Sequence, residues 1–152
     1  MFAPYPAPVL GPAREAVDYE WYRDRLADPA QADRGIGVSV YRLPLLVVPI
    51  GGRRRGGYYA TEQRAVALAV LAALAGEPGF PNLRVRRPQY TDCHTLRWGA
   101  PGPPVGDDVA CGRFYGYSDT AIADFLGEEA LRRAPGFMPL PRTDWRAARC
   151  TR

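Results

Sequence analysis

Lysine is absent from this chain: all 20 basic residues are arginine. Alanine, glycine and proline are abundant, and the pattern is that of a high-GC coding bias. An arginine here is therefore not by itself a sign that its forked donors were selected. Cysteine is sparse. Cys93, Cys111 and Cys150 are odd in number and far apart, and no CxxC occurs. That excludes a recognisable zinc site or disulfide framework and reads as free thiols in a reducing cytosol. Long apolar runs are missing too. The longest, Ala65 to Ala75, falls short of the ~18 residues of a membrane span. The N-terminal "MFAPYPAPVL" has neither the basic region nor the apolar run of a signal peptide. No membrane partner is expected, and the expected location is cytoplasmic. Nothing repeats internally.

What is present fits one domain: 152 residues, 47% hydrophobic and 24% charged. Glycine and proline, 16 each, crowd the two ends and residues 99–106. The division this predicts is a proline-rich flexible leader over 1–11, a domain over 12–134 and a loose tail over 135–152. The net charge of +4 is uneven. Residues 1–34 carry 4 Arg against 6 acids, residues 35–99 carry 9 against 3, and the remainder carries 7 against 7. The middle is electropositive, which favours an anionic partner without specifying one.

The spacing of Val17, Trp21, Tyr22 and Leu26 predicts an amphipathic helix with an acidic outer face, with Pro12 at its first position. "GIGVSVYRLPLLVVPIGG" reads as two strands with a turn at Pro44, the second buried on both faces. "TEQRAVALAVLAALAG" predicts a buried helix capped by Thr61 and stopped by Gly76. "NLRVRR" and "CHTLRWG" alternate and form a second hairpin. Residues 99–112 read as a loop, and a last helix follows Ser118, with Ile122, Phe125 and Leu126 inward. The order α-β-β-α-β-β-α is an α+β fold, with a mainly antiparallel sheet of two hairpins and three helices.

The candidate site begins at "GGRRRGGYY". Between a strand and a helix, Arg53, Arg54, Arg55 and the loop amides would face a phosphate, with Tyr58 and Tyr59 placed to stack on bases. The stretch is neither a Walker loop nor GxGxxG. A solvated turn is the plain alternative. The strand alternation puts Arg84, Arg86 and Arg97 on one sheet face, while Arg87 points away from Arg86. That face would extend the basic surface, unless the acidic first helix covers it. The single histidine, His94, shares a face with Leu96 and Trp98. Cys111, with Asp107 or Asp108 as orienting carboxylate, would have to approach His94 to make a nucleophile and base. No spacing supports this, and a core-edge histidine is the simpler reading. Asp107 and Asp108 alone are a poor metal site. "GRFYGYS" reads as aromatic anchoring of the last helix, or as a pocket wall built from Arg113, Phe114, Tyr115 and Tyr117.

At "GVSVYRLPLLVVPIGGRRRGGYY" and "GRFYGYSDTAIADF" the chain resembles a family of small uncharacterised actinobacterial proteins, a domain of unknown function. The resemblance covers about residues 18–126. It implies that Gly51, Gly52, Gly56, Gly57 and Tyr58 belong to a shared pattern, and it brings no activity, cofactor or catalytic residue.

The leading expectation is a non-enzymatic accessory protein without cofactor or metal. It would bind nucleic acid or another phosphate-bearing ligand through Arg53–Arg55, Tyr58, Tyr59, Arg84, Arg86 and Arg97. The alternatives are a protein adaptor or homodimer, and a small enzyme with a pocket near His94, Cys111 and Tyr115.

Overall fold

Proline at position 44 cannot continue a ladder, and the chain turns there. In the computed structural model, which describes residues 7–41, 43–87, 93–104 and 106–132, β1 (Val9–Pro12), β2 (Ile36–Ser39) and β3 (Leu45–Val47) form one antiparallel sheet in that order. Val38 lies opposite Leu45, and Leu10 opposite Val38. A second antiparallel sheet runs β4 (Gly56–Thr61), β6 (His94–Gly99), β5 (Arg84–Arg86), with β6 central. The α+β class and both expected hairpins are present. Five α-helices, rather than three, accompany the strands among the described residues: α1 (Tyr19–Arg25), α2 (Ala30–Asp33), α3 (Arg64–Leu74), α4 (Asp108–Phe114) and α5 (Asp119–Arg132).

Several elements depart from the sequence pattern. Residues 9–11, expected in a flexible leader, pair with β2 as the edge strand β1. The expected first helix is broken into a 3-10 turn (Ala13–Glu15), α1 and α2. The break has a local cause: the Val17 amide donates to the Pro44 carbonyl, and the Asp18 carboxylate accepts from the Leu46 amide. Val17 is consequently exposed rather than inward. Thr61 ends β4, and its hydroxyl accepts from the Gln63 amide just before α3. α3 buries Val66, Ala67, Val70 and Leu74 but leaves Leu68 exposed, so it lies on the sheet and is not enclosed by it. The expected loop over 99–112 contains α4, whose N-cap Asp107 accepts from the Ala110 amide at 2.9 Å. Ser118 caps α5 through Ala121, and Ile122 and Phe125 face inward, but Leu126 does not. The tail from 133 onward lies outside the described residues.

Two hydrophobic cores result. Tyr59, Leu96 and Trp98 on one face of the second sheet pack with Val38 and Val47 of the first and with α3. The second core joins Tyr19, Tyr22, Leu46, Val48, Cys111, Tyr117, Ile122 and Phe125, with Tyr58 packed against it from the other face of the second sheet. Leu46 and Val48 point into one core and Val47 into the other, which is what the continuous apolar run encodes. The Trp98 indole donates to the Val48 carbonyl at 3.0 Å and ties the sheets together. Cys111 is buried and outside any disulfide, but Cys93 is disulfide-bonded. This corrects the reading of three free thiols, because spacing alone carries no pairing information. It also removes the argument for a reducing compartment. Among the described residues no helix is long and apolar enough to cross a membrane.

Candidate anion-binding site

The glycine-arginine stretch is a tight hairpin turn followed by a strand, not a loop leading into a helix. Gly51 and Arg54 exchange both backbone hydrogen bonds, at 2.9 and 3.0 Å, with Gly52 and Arg53 as the two central residues. Gly52 has φ +54°, the left-handed value that a primed two-residue turn requires at its first central position. "GGYYAT" then forms β4. A side chain at Gly57 would stand 2.4 Å from the Trp98 ring, so glycine is needed there for close packing, not for ligand approach.

The turn separates the three arginines. Arg53 and Arg55 are exposed, while Arg54 is 4% exposed. Its guanidinium donates from Nε to the Val48 carbonyl (3.4 Å) and from Nη1 to the Tyr115 carbonyl (2.8 Å). It also lies 5.9 and 5.7 Å from the Tyr22 and Tyr115 ring centres. Burial pushes the Tyr22 phenol up to about 12 and raises Tyr58 and Tyr117 as well, with Arg54 opposing the shift in each case. These phenols are neutral at ordinary pH, so they supply Arg54 with no negative charge. Arg53 and Arg54 line an open pocket of about 240 Å³ together with Leu26, Ala27 and Asp28. No motif marks these last three. The Ala27 amide donates to the Gly116 carbonyl and so carries their segment to the turn.

Tyr59 is not placed to stack on bases, and Tyr58 is half-buried. Tyr59 is 4% exposed in one core, and Tyr58 packs edge-on against Tyr115 at 5.1 Å beside the other.

The register puts Arg84 directly opposite Arg97, and Arg86 opposite Thr95. Arg84, Arg86 and Arg97 therefore share a face, with Tyr58 beyond Arg97 on β4. Arg84 is half-buried. Its Nη1 donates to the Asn82 and Gly99 carbonyls and its Nη2 to Ala100, at 2.9 to 3.2 Å. Its pKa is lowered, first by burial and then by the charges of Arg86 and Arg97. Arg97 is also half-buried, and its Nε is buried with no acceptor. None of the three is ion-paired among the described residues; the ion pair Arg34–Asp28 (3.8 Å) lies elsewhere. Tyr58, beside Arg97 on the same face, borders the core that the first helix enters through Tyr19 and Tyr22.

His94 and Cys111 are not brought together. His94 alternates with Leu96 and Trp98 on the α3 side of the sheet, whereas Cys111 is buried in the opposite core. His94 Nδ1 is buried without a hydrogen-bond partner among the described residues. Asp108 opens α4, and among the described residues no group of three or more His, Cys, Asp or Glu is placed to hold a metal.

Fold and surface together describe a small α+β protein with three arginines on one sheet face, none of them ion-paired among the described residues. The chain belongs to a family of unknown function (DUF6302), whose pattern matches residues 10–150. No curated protein and no solved structure matches it.

Proposed function

We propose that this protein binds a phosphate-bearing polymer, single-stranded nucleic acid held by its backbone, through Arg84, Arg86 and Arg97. The carrying observation is the charge: three arginines share one face, and none of them is paired with a carboxylate among the described residues. Arg84 and Arg86 stand two residues apart on a strand, roughly 6.6 Å, a repeat suited to neighbouring phosphates rather than to one compact ion. With Tyr59 buried and the half-buried Tyr58 edge-on against Tyr115, neither ring offers a base an open platform, so binding is insensitive to base identity. Oligo-dT and oligo-dA of equal length should bind equally, with inorganic polyphosphate competing. Arg84→Gln/Arg86→Gln/Arg97→Gln should lose binding in a fluorescence anisotropy titration at low salt. Wild-type protein that leaves the oligonucleotide free at low salt would rule the proposal out.

A second reading is favoured by a different surface. Val9, Val17, Tyr41 and Leu43, between 58% and 69% exposed, belong to or border the β2–β3 hairpin. This apolar tip fits a second copy of the chain. A sedimentation mass that rises with concentration and falls to the monomer in Leu43→Ser supports it; a monomer at all concentrations removes it.

A further inference from the structure

The pocket at the arginine turn lies apart from the Arg84/Arg86/Arg97 face and poses its own problem. Arg54 is buried, yet carbonyls accept from only two of its five N–H groups. Three donors have no acceptor among the described residues, and no carboxylate is ion-paired with it. A cation in this position is costly unless it is paired and its donors are filled. The neighbouring phenols stay neutral, as shown above. Arg54 does, however, line the pocket, and so does the exposed Arg53. Gly52 lines it as well, and the Gly52 and Arg53 amides have no acceptor among the described residues.

From this arrangement we infer that the pocket binds a small organic carboxylate, whose oxygens meet Arg54, Arg53 and the free turn amides and whose apolar body lies against Leu26 and Ala27. The planar fork of arginine matches a carboxylate in two-point contact. The volume of about 240 Å³ sits just below the usual range for small-molecule sites and limits the ligand to a few carbons beyond the carboxylate. Asp28 decides against phosphate. Its side chain is 55% exposed at the same pocket and already shares Arg34 at 3.8 Å, so a second negative charge on the ligand would meet repulsion.

The test uses sodium isovalerate and inorganic phosphate as probes, titrated into the full-length protein and followed by amide chemical shifts. Isovalerate should saturate the shifts of Gly52 and Arg53, and phosphate should not. Arg53→Gln, at an exposed position, should weaken isovalerate about tenfold. Ala27→Phe, which fills the pocket without altering charge, should abolish binding. The Arg84→Gln/Arg86→Gln/Arg97→Gln protein should bind isovalerate as the wild type does, which separates this site from the sheet face. The inference is overturned if isovalerate leaves wild-type shifts unmoved, if phosphate binds in its place, or if the pocket variants bind as the wild type does.

Discussion

Three consecutive arginines, identical in a composition count, have three different fates. Arg53 and Arg55 face solvent, and Arg54 joins Val48 just after β3, the end of α4 and two tyrosine rings. The codon-bias argument for discounting arginine holds for the exposed pair and fails for Arg54, which is buried and tied to two backbone carbonyls. Arg54→Met should therefore cost about 3 kcal/mol, from charge-assisted bonds and the ring contacts together. Arg55→Gln should stay within about 0.5 kcal/mol of the wild type. Urea denaturation of the two variants checks both. Equal stabilities would mean that Arg54 contributes no more than a surface residue.

At the level of elements, α4 depends on its cap. Asp107 satisfies the Ala110 amide, and Asp107→Ala should destabilise the protein by about 1 kcal/mol in the same denaturation assay. That helix was hard to read because glycine and proline surround it and Gly112 interrupts its pattern. The hairpins were legible, since alternation over Arg84–Arg86 and His94–Gly99 sorts side chains to two faces whatever the strand order. So was the two-faced burial of Leu46, Val47 and Val48. "GGYYAT" misled for a physical reason. Paired glycines suggest a loop, and only the Trp98 ring pressed against Gly57 shows why a strand needs them. The shared face of Arg84, Arg86 and Arg97 followed from alternation. The burial of Arg54 did not, because the tight turn and the end of α4 that enclose it come from separate parts of the chain. The pocket wall from Leu26 to Asp28 has no sequence signal at all.

Across the whole molecule, two cores meet around buried phenols, and this sets the response to alkali. The Tyr22 pKa is held near 12, against an ordinary value of 10.0, by burial, and Tyr58 and Tyr117 shift the same way. The folded chain keeps protons that the unfolded chain releases, so stability is full below pH 10 and falls as pH rises toward 12. Tyr22 alone accounts for about 3 kcal/mol of that loss. Melting temperature should drop steeply over this window, and phenolate absorbance should rise together with unfolding. Tyr22→Phe should flatten the drop. A melting temperature level through pH 12 would contradict the burial of these groups.

The central claim is that Arg84, Arg86 and Arg97 hold a phosphate backbone, and the salt dependence of oligonucleotide binding tests it most directly. The slope of log K against log salt should be negative. It should lessen by about 2 when all three arginines are changed to glutamine, since each neutralised phosphate of a single strand contributes about 0.7. A slope unchanged in the triple variant, or wild-type binding indifferent to salt, would contradict the account.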